Sequence, residues 1–133
     1  MNSYQKGNLS EAKIVAKLLE LNKLVFKPVG EGYRYDLLID NSDGTYTRVQ
    51  CKTARLNRSG CIIFATGSRG GHNKSKNKGY HNEADVFMIY SKHTDKVYLV
   101  PVENASKSSM MLRITKPKKV IDNIKWADDY EYK

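Results

Sequence analysis

The stretch YDLLIDNSDGTYTRVQCKT, Tyr35–Thr53, decides the fold. Two runs rich in β-branched, aromatic and alternating apolar residues, Tyr35–Asp40 and Thr45–Thr53, flank the turn-forming Asn41-Ser42-Asp43-Gly44, so the stretch reads as a β-hairpin. Side chains alternate faces along a strand. Gln50 and Lys52 therefore share one face and Val49 and Cys51 the other, while Asp36 and Leu38 oppose Tyr35, Leu37 and Ile39. Loop length then sets the register. A three-residue loop Ser42-Asp43-Gly44, with Gly44 at positive φ, pairs Asn41 with Thr45 and sets Asp36 opposite Gln50. A two-residue Asp43-Gly44 turn would set it opposite Cys51 instead.

The three-residue register collects an acid, an amide and a lysine on one face. Phosphodiester hydrolysis uses a hard cation to activate water and to neutralise charge in the transition state. Magnesium suits one or two carboxylates completed by carbonyls and water. Asp36 can bridge such an ion, the Cys51 carbonyl lies nearby, and Lys52 can orient water or stabilise developing charge. A cross-strand ion pair on a solvated face explains Asp36 and Lys52 equally well.

Upstream, Ile14, Val15, Leu18 and Leu19 recur at helical spacing, so Asn8 to Asn22 reads as a helix. Glu11 lies on its apolar stripe. It either completes a capping box with Asn8 or faces the sheet as a functional carboxylate. Downstream, Leu24–Phe26, Cys61–Thr66, Ala84–Tyr90, Val97–Val102 and the weaker Met110–Thr115 read as strands. Val120–Trp126 reads as a short helix or an irregular tail. One helix, several strands and short terminal elements predict an α/β domain of α+β character, with a mixed central sheet flanked by helices. Residues 1–133 suit a single domain with its core at about residues 8–102, and 103–133 form a C-terminal extension available for an oligomer or DNA contact.

Charge speaks to partners. Twenty-three Lys and Arg against fourteen Asp and Glu give +9, a balance that favours a polyanion such as nucleic acid. No acidic residue occurs from Thr53 to Asn82. There Arg55, Arg58, Arg69, Lys74, Lys76 and Lys78 are interleaved with glycines, including GSRGGHNKSKNKGY, Gly67–Tyr80. Such a segment can run close to a phosphate backbone, so these six cations are the candidate DNA contacts. His72 and His81 lack a metal-binding partner at ligand spacing and read as surface or phosphate contacts. Tyr80 reads as packing under the site ahead of touching DNA, and Asp85 as a turn cap. The acidic, aromatic DDYEY, Asp128–Tyr132, suits a subunit contact or a cover for a basic patch. Cys51 and Cys61 lack metal-site spacing, and neither a leader nor a spanning segment is visible, so the expectation is a cytoplasmic protein with reduced thiols and no membrane association.

The helix with Glu11, then Gly32–Asp36, Val49-Gln50-Cys51-Lys52-Thr53, Asp85-Val86-Phe87 and Val97-Tyr98-Leu99-Val100-Pro101 together resemble the PD-(D/E)XK nuclease superfamily. They are most similar to its group I intron-associated homing endonucleases. The resemblance implies a restriction-endonuclease-like core and a Mg2+-dependent endonuclease acting on double-stranded DNA, with Mn2+ as a substitute. It makes Asp36 the metal-bridging acid, Lys52 the catalytic lysine and Glu11 the helix carboxylate, with Gln50 and the Cys51 carbonyl as further metal contacts. Tyr35 replaces the proline of the motif. Gln50 replaces its second acid, and a neutral amide brings an oxygen but no charge; the intron-associated branch is similar in using Gln there. A domain this small reaches a long target only by assembling, so a homodimer or homotetramer is expected. A junction-resolvase-like nuclease, a non-catalytic DNA-binding module that keeps the fold, and an RNA-binding protein are the other readings.

Overall fold

The computed structural model describes residues 1–69 and 77–133; Lys74, Lys76 and His72 lie outside them. Among the described residues one long helix, α1 (Ser3–Glu20), precedes nine strands: β1 (Leu24–Phe26), β2 (Leu37–Asp40), β3 (Tyr46–Leu56), β4 (Cys61–Ala65), β5 (Ser68–Arg69), β6 (Asn77–Lys78), β7 (Val86–Ser91), β8 (Lys96–Pro101) and β9 (Ser109–Arg113). The flanking layer contains this single α-helix among the described residues, with 3-10 turns at Val102–Asn104 and Ala127–Tyr130. Val120–Trp126 is irregular apart from one bridge.

The helix starts earlier than its apolar stripe suggests. Asn2 caps it, accepting from the Gln5 amide at 2.9 Å, while Gln5 Oε1 accepts from the Asn2 amide at 2.9 Å. The capping box is therefore Asn2/Gln5, and Asn8 with Glu11 does not form one. Gly7 and Asn8 are weak helix formers in an exposed first half, which hid the stretch from Ser3 to Gly7. At the other end Asn22 takes φ 59°. The Asn22 and Lys23 amides reach back to the Leu19 and Leu18 carbonyls, each at 3.0 Å, a Schellman closure with asparagine in the left-handed position.

Seven strands make the main sheet, and β3 is its axis. The first part of β3 pairs antiparallel with β2 and parallel with β7, while its end pairs antiparallel with β4. The other pairings, β1–β2, β4–β9 and β7–β8, are antiparallel. The sheet is thus mixed through a single parallel pair, β3–β7, and β5–β6 stands apart as a two-stranded ladder.

Each face has its own apolar layer. Ile14 and Leu18 of α1 pack on Leu37, Ile39, Val49, Met88, Tyr90 and Val97. On the opposite face Phe87, Ile89, Tyr98 and Val100 meet Ile62, Phe64, Met110 and Leu112 from β4 and β9, together with Tyr80, Ala84 and Ala127. Burial on both sides explains why β7, VFMIYS, is apolar almost without interruption. The residues after Val102 supply β9 and then line two sheet edges. Lys125 O accepts from Arg113 N at 2.8 Å beside β9, and Tyr132 N donates to Val97 O at 2.9 Å beside β8. Lys96 and Glu131 pair at 3.2 Å, so the end of the acidic phrase lies on the chain's own sheet.

Candidate active site

The hairpin carries the site. Asn41 N donates to Thr45 O at 3.0 Å, with Gly44 at φ 89°, so the loop has three residues. The ladder then runs from Asp40↔Tyr46 to Leu37↔Val49. One residue further the expected register breaks. The Asp36 amide donates to Val49 O at 2.8 Å, so Asp36 and Leu37 both stand against Val49. Two residues facing one is a β-bulge, which bends the strand and re-aims a side chain. Asp36 is therefore not set squarely opposite Gln50. Its Oδ2 accepts from the Cys51 amide at 2.8 Å, in the place of a ladder bond.

This position perturbs Asp36. Burial pushes its carboxyl above the ordinary value and Glu11 pushes it the same way, against the Cys51 amide, Lys52 and Lys27. Glu11 projects from α1 into the same cleft of about 340 Å3, lined also by Lys27, Pro28, Gly30, Tyr33 and Asp36. With Asn2 serving as the cap, Glu11 is committed elsewhere: its Oε1 lies 2.6 Å from Lys27 Nζ. That contact, ahead of the general attraction of the pair, raises the Lys27 ammonium. The lysine side chain is 65% exposed against 27% for the acid, so the pair closes the cleft from the solvent side.

Lys52 is held differently. Its Nζ lies 3.4 Å from Tyr80 Oη and 4.8 Å from the Tyr80 ring centroid, and no carboxylate is within ion-pair distance among the described residues. Gln50, half-buried, shares its face of β3, and its side-chain amide makes no hydrogen bond to another described residue. Burial pushes the Cys51 thiol far up, so this side chain stays protonated. Cys51 can contribute only through its backbone: its carbonyl points to the same side as its amide, where β2 has already bent away.

Glu11 and Lys52 thus each come within electrostatic reach of Asp36, with Gln50 and Cys51 on the neighbouring strand. The described residues contain no group of three His, Cys, Asp or Glu suited to a metal. Two carboxylates, an amide oxygen and a backbone carbonyl are hard donors of the kind magnesium or manganese accepts, and the mutual repulsion felt at Asp36 favours a cation there.

Arg55 and Arg58 do not enter the cleft. Arg55 faces the α1 side, sharing a second cleft with Lys6 and Lys92, and Arg58 lies in the β3–β4 turn. Arg69 and Lys78 belong to the short β5–β6 ladder. His81 is exposed and Tyr80 is buried. Asp85 takes Arg48 as its partner at 3.0 Å, joining the start of β7 to β3. Sequence reading missed Lys27 and Arg34, which sit in irregular segments without periodicity. Only the apolar run before Lys27 and the Tyr35-Asp36 motif after Arg34 place them near the site.

A bulged strand presenting Asp36 beside a long central strand that ends its motif in Lys52 belongs to the restriction-endonuclease-like fold. The chain belongs to the PD-(D/E)XK endonuclease family, whose family model matches residues 1–133; it is a nuclease. The fold is similar to the structure of a bacterial homing endonuclease, I-Ssp6803I, with a TM-score of 0.72 and 20% identity, covering 98% of this chain and 86% of that one. No curated protein matches the chain by sequence.

Proposed function

We propose that the chain is a divalent-metal-dependent endonuclease that hydrolyses phosphodiester bonds in double-stranded DNA at specific sites, acting as a homing-type enzyme and as a homodimer or homotetramer. One observation carries the reading: the bulge that turns Asp36 onto the Cys51 amide, between Glu11 from the helix and Lys52 from the strand.

Asp36 and Glu11, with the Gln50 amide oxygen and the Cys51 carbonyl, would hold Mg2+ or Mn2+. When bound, the ion supplies an activated water and charge neutralisation at phosphorus. The Cys51 N–H fixes one Asp36 oxygen and leaves the other directed to the cleft. Lys27 keeps Glu11 aimed inward. Lys52 Nζ, lacking an acidic partner, is available to donate to a phosphoryl oxygen and stabilise its growing charge. Arg55, Arg58, Arg69, Lys74, Lys76 and Lys78 would carry the duplex backbone. The similarity to a homing endonuclease supports the homing assignment. Self-assembly is argued from size, since one small domain spans only part of a long site.

Gln50 supports a second reading, a DNA-binding module without chemistry, because its neutral, unbonded amide stands where the motif has an acid. Plasmid cleavage in Mg2+ or Mn2+ separates the two. Wild type should cut, and Asp36→Ala and Lys52→Ala should each lose at least about a hundredfold in rate. Binding without cutting of supercoiled, linear or branched DNA would establish the module instead.

A further inference from the structure

The two lysines near Asp36 are treated oppositely. Lys27 is neutralised by Glu11 at 2.6 Å, whereas Lys52 lies 3.4 Å from the Tyr80 hydroxyl, 4.8 Å from that ring's centroid and 5.9 Å from that of Phe87. A neutral phenol oxygen and its ring attract a cation without cancelling its charge, so they can fix an ammonium and leave it free for a phosphate.

Tyr80 is built to do this. It is only 5% exposed and meets Phe87 edge-on at 5.5 Å between centroids. The Glu83 and Ala84 amides donate to its carbonyl at 2.9 and 3.1 Å, fixing its backbone. The Arg34 guanidinium lies 4.0 Å from the ring centroid. Arg34 in turn donates to Gly79 O at 2.8 Å and pairs with Glu83, which brackets Tyr80 on both sides in sequence. Arg34 is two residues from Asp36, so this clamp ties the Asp36 strand to the seat of Lys52.

We propose that Tyr80, clamped by Arg34, is the positioning residue that holds the Lys52 ammonium in place through its hydroxyl and the rim of its ring together. The seat is a property of the fold, and its consequence for cleavage rests on the nuclease reading above.

The test uses the full chain with its lysines reductively methylated with 13C. The Lys52 signal, assigned by its absence in Lys52→Arg, should lie upfield of exposed lysines because of the ring current. Tyr80→Leu should return it to the exposed position and Tyr80→Phe should shift it only part of the way. Arg34→Met, which leaves the buried ring in place, should shift it part of the way. In supercoiled-plasmid cleavage with Mn2+ and excess enzyme, Tyr80→Leu should slow the reaction roughly ten- to hundredfold. Duplex affinity in Ca2+ should hold, and Tyr80→Phe should slow the reaction less than Tyr80→Leu. A Lys52 signal among the exposed lysines in wild type, or one unmoved by Tyr80→Leu and Arg34→Met, would overturn the seat. So would equal rate losses in Tyr80→Phe and Tyr80→Leu. If the signals behave as expected but Lys52→Arg and Lys52→Met cut as fast as wild type, the seat stands and the role given to Lys52 in cleavage fails.

Discussion

Burial lifts the Asp36 carboxyl above its ordinary value of 3.8, and Glu11 adds to the effect. The folded state therefore holds this proton more tightly than the unfolded chain does. The stability this gives is present below the ordinary value and is lost as pH rises through the folded one. At neutral pH the ionised carboxylate consequently costs stability, which a neutral amide of the same shape should recover. Asp36→Asn keeps an oxygen for the Cys51 amide, so we expect a modestly higher Tm at pH 7, with the gain over wild type fading as pH falls through the raised folded value and gone below about 3.8. The same substitution should abolish the Tm increase that Ca2+ gives wild type, because a ligand stabilises only the state that binds it. A variant no more stable than wild type at pH 7, yet still stabilised by Ca2+, would remove Asp36 from the metal site.

At the level of elements, the β3–β4 turn shows how local sequence serves distant packing. Asn57 N donates to Cys61 O at 2.8 Å, and Asn57 Oδ1 accepts from the Ser59 and Cys61 amides at 3.0 Å each. Gly60 closes the turn at φ +85°, and an added Cβ would lie 1.9 Å from Thr115 Oγ1. Its carbonyl receives the Ile114 and Thr115 amides at 3.0 and 3.2 Å, joining the hairpin to the chain leaving β9. Gly60→Ala should therefore destabilise by about 2–3 kcal/mol through left-handed strain and displacement of Thr115. Urea unfolding measures it, and a loss under about 0.5 kcal/mol would mean that the turn relaxes freely.

What sequence alone made visible at this scale follows from periodicity. Alternation and a three-residue loop placed the hairpin correctly as far as Leu37↔Val49, and the unbroken apolar run marked β7. The bulge at Asp36 left no trace, since no glycine or extra residue announces it, yet it determines where the carboxylate points. The start of α1 was missed because its first turns bury nothing for a stripe to reveal. Lys27 and Arg34 were invisible for a related reason: their roles come from contacts between loops and elements far apart in the chain, which no local pattern encodes. The single bridges at Trp126 and Glu131 are likewise too short to leave a periodic signal.

Across the whole molecule, the net charge of +9 is unevenly available. Lys13, Lys27, Arg34, Arg48 and Lys96 each have a carboxylate partner. Arg55 and Arg58 are exposed and have none among the described residues, and Arg55 shares its cleft with Lys6 and Lys92. Counterion release rewards only cations that reach phosphate, so the salt dependence of duplex binding can tell the two groups apart. Arg55→Ala and Arg58→Ala should each lower the slope of log K against log salt by about 1. Arg48→Ala should leave it nearly unchanged, because Arg48 already serves Asp85 at 3.0 Å. Binding should be followed in Ca2+ by fluorescence anisotropy on a duplex of arbitrary sequence, so that neither cleavage nor base readout contributes. If Arg48→Ala lowered the slope while Arg55→Ala and Arg58→Ala did not, the DNA path would run over the Arg48–Asp85 side of β3 and away from the α1 side that Arg55 faces.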